Sequence, residues 1–178
     1  MATHEGWLDP RSFEGMVEEY ADRVYNIALR ITHSPEEAED ATQDAFLSAY
    51  QHRDAFRGES TVFTWLARIA VNAALQRVRK LHRLDYLDVT SYESVRVLDW
   101  SDELDQRVER DELHAIIERG MAMLPDEARV VLVLRDVEGL STAEAAEILG
   151  LSEAALKSRL HRARVLLRQY LSDHLEAS

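Results

Sequence analysis

Residues 139–167 constrain the fold most, because they predict two short helices on either side of a tight turn. Ser141 and Glu144 form the S-x-x-E pattern of a capping box, so a helix should begin directly after Ser141. Gly150 suits the left-handed position just past a helix end, and Ser152 can cap a second helix. This order of signals predicts a helix-turn-helix motif.

The second of these helices has two unlike faces. One narrow face is apolar at helical spacing, with Leu156, Leu160, Ala163 and Leu167. The opposite face is polar and basic, with Ala154, Lys157, Ser158, His161 and Arg162. Residues 155–170 hold five Lys or Arg residues and no acid. Such a helix fits the major groove of DNA, although a basic amphipathic helix in an ordinary bundle would show the same pattern.

Charge alternates along the chain, whose net charge is −12. Residues 1–50 sum to −8 and residues 85–127 to −9, whereas residues 51–84 sum to +5 and residues 128–178 are balanced. Cytosolic proteins are often acidic, but two basic clusters, each on a predicted helix, favour contact with phosphates. The acidic blocks favour protein partners.

Composition excludes several classes of protein. The chain has no cysteine, which excludes disulfides, thiolate metal sites and a redox switch within it. No apolar run approaches membrane-spanning length, and the N-terminus lacks a signal-peptide pattern. We therefore expect a cytoplasmic protein that makes no membrane contact of its own.

Hydrophobic periodicity predicts an all-α chain of two small helical domains joined by an acidic linker. Before the helix-turn-helix motif, helices are expected at about 12–31, 35–52, 61–82, 105–123 and 125–139. Ser12 is expected to cap the first helix, and Ser34 and Glu37 to form a capping box around Pro35. The expected divisions are a lead-in at 1–11, domains at 12–83 and 105–172, a linker at 84–104 and a tail at 173–178.

Residues 35–80 contain a second group of side chains that could bind a ligand. An acidic helix is followed by a loop with Gly58 and by a helix that mixes aromatics, arginines and an amide. Aromatic rings beside cations suit unstacked single-stranded bases and their phosphates. Phe63 is better explained as a core residue, whereas Trp65 suits the core and a DNA-facing surface equally well.

Taken together, these motifs resemble the extracytoplasmic-function class of bacterial sigma factors. The first half carries Glu-Ala-Glu-Asp-Ala-Thr-Gln-Asp-Ala-Phe-Leu-Ser-Ala-Tyr, Phe-Arg-Gly-Glu-Ser and Phe-Thr-Trp-Leu-Ala-Arg-Ile-Ala-Val-Asn, which are similar to family region 2. The second half carries Leu-Pro-Asp-Glu-Ala-Arg-Val-Val-Leu-Val-Leu-Arg and Lys-Ser-Arg-Leu-His-Arg-Ala-Arg, which are similar to region 4. The resemblance covers about residues 12–170.

The resemblance implies three binding surfaces and no cofactor or metal. Contact with the clamp helices of core RNA polymerase is implied for Glu39, Asp40, Gln43, Asp44 and Phe46. Capture of the minus-ten element is implied for Arg57, Thr61, Trp65, Arg68, Asn72, Arg77, Arg79 and Lys80. Contact with the minus-thirty-five element is implied for Ser141, Thr142, Ser152, Glu153, Ala154, Lys157, Ser158, His161, Arg162 and Arg164.

The resemblance also implies a regulator and one departure from the family pattern. An anti-sigma factor is expected to cover the polymerase-facing surfaces, and the linker is expected to thread toward the polymerase active centre. The family's reading helix often begins Gly-Thr-Val, but this chain has Ala154-Ala155-Leu156. Loss of that threonine removes a potential contact with DNA, so the promoter sequence is left open.

Two other functions were weighed against a sigma factor. A free-standing helix-turn-helix regulator would need only the C-terminal half and would leave residues 35–80 unexplained. A helical-bundle enzyme or metal carrier would need facing ligands, but the seven histidines are scattered and no pair of Glu-x-x-His motifs is present. The sequence therefore predicts a promoter-specificity subunit that performs no chemistry itself.

Overall fold

The computed structural model describes residues 10–87 and 108–175, with side chains described over 13–82 and 113–173. These two ranges are helical apart from short connections, and no strand occurs in them. The helices are α1 (Pro10–Thr32), α2 (Pro35–Gln51), α3 (Val62–Leu87), α4 (Val108–Ala122), α5 (Asp126–Leu132), α6 (Thr142–Leu149) and α7 (Glu153–Leu175). The all-α prediction is confirmed for this part of the chain.

Helices α1, α2 and α3 pack against one another as a three-helix unit. The inner face of α2 is made of alanines at spacings of three and four residues, Ala38, Ala41, Ala45 and Ala49, all of which are fully buried. Because alanine is small, α2 approaches its neighbours closely. The side chains on the opposite side of α2 are exposed. The large apolar side chains of this unit come from α1 and α3, such as Ile27 and Leu66.

The C-terminal unit packs α7 against α4, α5 and α6. Gly120 marks the closest approach of α4 to α7, since a Cβ added there would lie 2.7 Å from the ring of Tyr170 and 2.8 Å from Leu167. A residue larger than glycine would therefore require the side chains of Tyr170 and Leu167 to move.

One apolar core runs through both units. Ile27 and Ile31 of α1 belong to the same buried cluster as Val130 of α5 and Leu156 of α7. Apolar burial of this kind is worth about 25 cal/mol per Å², so the contact between the two units stabilises a closed arrangement.

A buried arginine joins the two units at one point. Arg129 of α5 is only 7% exposed, and its guanidinium donates hydrogen bonds at 2.8 Å to the carbonyl oxygens of Ile31 and Leu124. Further bonds reach the carbonyl oxygens of Met121 and Ala122. The side chain therefore satisfies backbone acceptors at the ends of α1 and α4, which would otherwise be buried without donors.

Two predicted helix ends differ from the structure. Helix α1 begins at Pro10, so Ser12 lies inside it and the predicted capping role of Ser12 is wrong; proline has a fixed φ that suits a first helical turn. Helix α3 continues to Leu87, five residues past the expected end, and so enters the segment predicted as linker. The rest of that linker and the lead-in up to residue 9 lie outside the described residues.

The predicted capping box of α2 forms only in part. The Ser34 hydroxyl accepts a hydrogen bond from the Glu37 N–H at 3.4 Å, as expected. The Glu37 carboxylate does not return to the Ser34 N–H, because it binds Arg77 at 2.9 Å. The Thr32 hydroxyl accepts from the Ser34 N–H instead.

The helix expected at 125–139 is interrupted. Helix α5 ends at Leu132, and Val133–Val137 form a π-helical turn in which the Glu138 N–H donates to the Val133 carbonyl oxygen at 2.9 Å. Gly139 then takes a φ of +68° and ends the segment. The wider turn changes the direction of the side chains that precede the helix-turn-helix motif.

Candidate nucleic-acid and polymerase interface

The helix-turn-helix motif forms through the local contacts that the sequence predicted. The Ser141 hydroxyl accepts from the Glu144 N–H at 3.2 Å, and the Ser141 N–H donates to the Glu144 carboxylate at 2.8 Å. Hydrogen bonds from Ser141 hold the pKa of the Glu144 carboxyl below its usual value. The capping box is therefore confirmed, with both halves present.

The turn between α6 and α7 follows from Gly150 and Ser152. Gly150 has a φ of +63°, and the Leu151 N–H donates back to the Ala146 carbonyl oxygen at 2.9 Å. This is the backbone pattern that ends helices at a left-handed glycine. The Ser152 hydroxyl then accepts from the Ala155 N–H at 3.2 Å and caps α7, as predicted.

Helix α7 separates its apolar and polar faces as expected. Leu156, Leu160 and Ala163 are buried against the core, and Leu167 packs at its edge. On the solvent side, the exposed residues are Ser152, Glu153, Ala154, Lys157, Ser158, His161, Arg162 and Arg164. The polar face of α7, which is predicted to contact DNA, is therefore exposed to solvent.

The cations of α7 differ in their partners. Arg164 binds Asp136 of the π turn through two hydrogen bonds, and Arg159 binds Glu127 at 3.0 Å. Lys157 lies 3.9 Å from Glu153. Within the described ranges, Arg162 has no ion-pair partner, so it is the most available cation on the central polar face.

Helix α3 carries an exposed stripe that starts at its N-terminus. The residues predicted for minus-ten contact that share this stripe are Thr61, Trp65, Arg68, Asn72 and Arg79, spaced at helical intervals. Gln76 lies on the same face and is exposed, but sequence reasoning missed it. The i+4 spacing from Asn72 would have found it. Arg57 in the preceding loop and Lys80 beside the stripe are also exposed.

The two aromatic residues at the start of α3 have different environments. Phe63 is 6% exposed and packs in the core, as expected. Trp65 is half-buried, and its ring centroid lies 5.3 Å from that of Phe56. Trp65 therefore supports the edge of the second apolar cluster while keeping part of its ring accessible.

The N-terminus of α3 is held by two threonines. The Thr61 hydroxyl accepts from the Thr64 N–H at 3.1 Å and shares a hydrogen bond with the Thr64 hydroxyl at 2.8 Å. Thr61 is exposed, whereas Thr64 is 1% exposed. The hydroxyl of Thr61 thus fixes the first turn of the helix.

Arg77 lies on a different side of α3 from the exposed stripe. Its guanidinium contacts Glu37 at 2.9 Å, Asp40 at 2.8 Å and Asp44 at 2.7 Å, all on α2. Burial alone would lower the pKa of Arg77, but hydrogen bonds to Asp44 and Glu37 raise it above its usual value. Helix α2 itself contains no Lys or Arg, so the counter-charge of Asp40 and Asp44 comes from α3. The role of Arg77 in minus-ten contact stays a prediction.

Two rows of side chains share the exposed surface of α2. Glu39 and Gln43 are both exposed, and the Glu39 carboxylate forms no ion pair with any described residue. Phe46 on the same row is half-buried against the second apolar cluster. On the neighbouring row, Leu47 is 57% exposed next to Asp44 and was missed by the sequence reasoning. A single exposed leucine is common on protein surfaces, so Leu47 adds apolar area to this surface but does not by itself define an interface.

The described residues hold no group of three or more His, Asp or Glu residues placed to bind a metal ion. None of the described helices is long and apolar enough to span a membrane.

Comparison with known proteins matches both halves of the chain to one family. Residues 16–84 match sigma-70 region 2, and residues 114–167 match sigma-70 region 4. The sigma factor SigW of Bacillus subtilis, an ECF RNA polymerase sigma factor, is 36% identical over 173 residues, which cover 93% of this chain and 91% of SigW. The chain belongs to the extracytoplasmic-function (ECF) sigma factors.

Further relatives and solved structures agree with this family. The sigma-H factor of Pseudomonas aeruginosa is 33% identical over 94% of this sigma factor and 90% of its own length. The fold is similar to RpoE of Bartonella quintana, solved in complex with the anti-sigma factor NepR, with a TM-score of 0.72, 26% identity, and coverage of 91% and 98% of the two chains. CnrH, solved with the cytosolic domain of CnrY, has a TM-score of 0.66 and 25% identity, with coverage of 93% of this chain and 90% of CnrH.

The family decides between the functions weighed above. A free-standing helix-turn-helix regulator would not account for region 2, which this sigma factor contains as α1, α2 and α3. Region 4, at residues 114–167, covers α5 and α6 and most of α4 and α7. Sigma factors are not a class of enzymes, so the helical-bundle enzyme is not supported either.

Proposed function

We propose that this sigma factor binds core RNA polymerase through α2, opens promoters at the minus-ten element with α3, and reads the minus-thirty-five element with α7. The observation that carries the proposal is that the α3 stripe and the polar face of α7 are both exposed in one chain. Each has the chemistry that its DNA target requires. The sigma factor supplies recognition, and the polymerase supplies the chemistry.

The exposed face of α2 suits a basic protein surface. Glu39, Asp40 and Asp44 are exposed carboxylates on one helix, and Arg77 fixes the last two in place. Acids aligned in this way steer a partner with basic or amide groups and fix its register. Leu47 supplies apolar contact at the same site. We therefore assign this surface, including Gln43 and Phe46, to core polymerase.

The α3 stripe suits single-stranded DNA. Trp65 offers part of an aromatic ring for stacking on an unpaired base, and base–aromatic stacking is worth about 1–3 kcal/mol. Arg68 and Arg79 can neutralise phosphates along the strand, and the Asn72 amide can donate and accept at a base edge. These groups lie on one helical face, so one strand can follow them all.

Helix α7 suits duplex DNA. Gly150 and the α7 cap Ser152 set the turn between α6 and α7, and the apolar stripe fixes the rotation of α7 on the core. The first turns present Ala154 and Ser158, which are small enough to let the backbone approach base edges, and Arg162 follows one turn later. We propose that these residues face the major groove, because helices of this motif read bases through their N-terminal turns.

An anti-sigma factor is the proposed regulator, and the cytoplasm is the proposed location. Two of the similar solved sigma factors are in complex with NepR and with the cytosolic domain of CnrY. This chain has the same overall arrangement of regions 2 and 4. Core polymerase and promoter DNA are the other proposed partners.

Reconstitution with core RNA polymerase tests the proposed function. The holoenzyme should initiate at defined positions on a library of random promoter sequences, and a shared sequence pattern should emerge around minus-ten and minus-thirty-five. Core polymerase alone is the matched control and should show no such pattern. The chain alone should bind the enriched duplexes weakly, whereas tight binding without core would indicate a free-standing regulator.

A further inference from the structure

We propose that Asp136 is a specificity-determining residue for minus-thirty-five recognition, because it holds Arg164 away from the DNA phosphates. The inference deepens the proposed function and rests on it, since it assumes that α7 reads duplex DNA. It also revises the expected role of Arg164, which resemblance to the family had placed among the DNA contacts.

Both oxygens of the Asp136 carboxylate accept hydrogen bonds from Arg164. Arg164 Nε donates to Asp136 Oδ2 at 2.9 Å, and Arg164 Nη2 donates to Asp136 Oδ1 at 2.5 Å. The two groups therefore meet as a planar fork, the geometry with which guanidinium also binds a phosphate. Asp136 thus occupies the Nε/Nη2 edge of Arg164, one of the two edges at which a guanidinium can bind a phosphate, and its negative charge opposes a phosphate at the other edge.

The π turn between α5 and α6 places Asp136 there. Asp136 lies within Val133–Val137, and the Glu138 N–H closes that turn on the Val133 carbonyl oxygen at 2.9 Å. Arg135 donates to the Leu140 carbonyl oxygen and holds the turn from its other side. The carboxylate is therefore presented by a fixed backbone and not by a free loop.

Arg164 lies where an unpaired cation would reach DNA. It is on the same edge of α7 as Lys157, which is seven residues earlier, and its side chain is 49% exposed. The Asp136 side chain is 32% exposed, so the pair is accessible to a bound duplex. Without Asp136, the Arg164 guanidinium would be free to bind a phosphate beside the groove.

The other edge of α7 shows the same arrangement. Arg159 binds Glu127 of α5 at 3.0 Å, whereas Arg162 on the central polar face has no ion-pair partner among the described residues. One cation at each edge, Arg159 and Arg164, is thus bound to a carboxylate close to the first turns of α7, whereas Arg162 between them is not. Phosphate contacts add affinity for every sequence alike, whereas base contacts select. The arrangement favours selection over general affinity.

Four holoenzymes test this inference: wild type, Asp136→Asn, Arg164→Gln and the double variant. Each is bound at low temperature to a promoter fragment selected by the wild-type holoenzyme, over a series of salt concentrations. Core polymerase contributes equally to all four, so its DNA contacts cancel from the differences. Arg162→Gln serves as the positive control for contact by α7, and thermal unfolding checks that each variant is folded.

The proposal expects Asp136→Asn to tighten binding and to steepen the slope of log K against log salt by about 0.9, the value for one added phosphate contact. The same variant should select a less restricted set of minus-thirty-five sequences. Arg164→Gln alone should leave the salt slope unchanged, because Arg164 makes no phosphate contact in the wild type, and the unpaired Asp136 carboxylate should weaken binding only slightly. The gain in salt slope of Asp136→Asn should vanish in the double variant.

Three results would overturn the inference. Arg164→Gln could lower the salt slope as Arg162→Gln does, which would mean that Arg164 contacts a phosphate despite Asp136. The gain of Asp136→Asn could persist in the double variant, which would trace it to lost repulsion alone. Asp136→Asn could also leave the salt slope unchanged. Failure of the proposed function itself looks different, because Arg162→Gln would then have no effect either.

Discussion

Arg77 of α3 donates a hydrogen bond to Asp44 of α2 at 2.7 Å, and this contact joins the proposed polymerase-facing helix to the proposed minus-ten helix. Asp40 and Glu37 bind the same guanidinium. The acidic surface of α2 is thus built around a cation from α3, so that its carboxylates are held in place without mutual repulsion.

Replacing that cation should destabilise the N-terminal unit. We expect Arg77→Gln to lower the free energy of unfolding by about 1–2 kcal/mol, because three carboxylates lose their shared partner. The loss is not larger because two of these carboxylates are more than half exposed, and water screens their ion pairs. Urea denaturation measures the change. Arg79→Gln, an exposed neighbour, is the control and should stay within about 0.5 kcal/mol. Equal effects of the two variants would contradict the structural role of Arg77.

Binding to core polymerase should depend on the carboxylate and amide of α2 that Arg77 does not hold. We expect Glu39→Lys with Gln43→Lys to weaken association with core at least about ten-fold, because the surface would repel a basic partner. Reversal of Asp40 and Asp44 is less informative, since new lysines there would lie against Arg77. Affinity is measured by titration of labelled sigma factor with core.

A charge change elsewhere on the surface is the control for that experiment. Glu14→Lys alters an exposed residue of α1 and should leave the affinity for core unchanged. If the α2 double variant remains folded and binds core normally, α2 is not the polymerase-facing helix.

Acid should destabilise the fold through His33. Burial, followed by the charge of Arg129, lowers the pKa of His33 to about 4. In the unfolded chain the His33 imidazole takes up a proton near pH 6.5, but in the folded chain it does so only near pH 4. Stability is therefore lost as the pH falls from 6.5 towards 4.

Removal of the imidazole should reduce that acid sensitivity. We expect His33→Asn to lose less stability between these pH values than the wild type, by on the order of 2–3 kcal/mol at pH 4. Asparagine tolerates the φ of +52° at this position. Urea unfolding at a series of pH values is the measurement, with His114→Asn as an exposed control. Parallel pH profiles for wild type and His33→Asn would show that His33 is not the cause.

The closed arrangement should open when the holoenzyme forms. Helix α6 packs against both α3 and α7, so the proposed DNA-binding faces are separated by about two interhelical spacings, on the order of 20 Å. Minus-ten and minus-thirty-five elements are roughly 25 base pairs apart, or about 85 Å along the duplex. One closed molecule cannot contact both, and the contact between Arg129 and the Ile31 carbonyl oxygen must break.

Energy transfer between two fluorophores measures that opening. The chain has no cysteine, so Glu36→Cys and Gln169→Cys place one label on α2 and one on α7 without background labelling. Transfer should be high in the free sigma factor and should fall on addition of core polymerase. Two labels within α7 give a control distance that should not change. High transfer that persists in an active holoenzyme would contradict the opening.

Local chemistry explains which parts of the structure could be predicted from the sequence. Ser141, Gly150 and Ser152 act on neighbours within five residues, so the helix-turn-helix motif could be predicted with its caps. The stripe on α7 repeats at helical spacing and was equally visible. In contrast, Arg77 binds carboxylates 33 to 40 residues away, and Arg129 binds a carbonyl 98 residues away. No local pattern encodes such partners.

The π turn was missed for a different reason. Residues 130–134 are all apolar and all buried, so they show no period from which a widened turn could be recognised. This π turn decides where Asp136 points, and so it decides which cation of α7 forms an ion pair with Asp136. Sequence reasoning placed Arg162 and Arg164 together on the DNA-binding surface, but the structure gives a carboxylate partner to Arg164 only.

We propose that α3 and α7 read different promoter elements, and one library experiment tests this directly. A promoter library randomised at both minus-ten and minus-thirty-five is transcribed by holoenzymes with wild-type, Asn72→Ala or Arg162→Ala sigma factor, and the starting templates are sequenced. We predict that Asn72→Ala changes the preference only at minus-ten and that Arg162→Ala changes the strength or preference only at minus-thirty-five. Changes in the opposite windows, or in neither, would contradict the account.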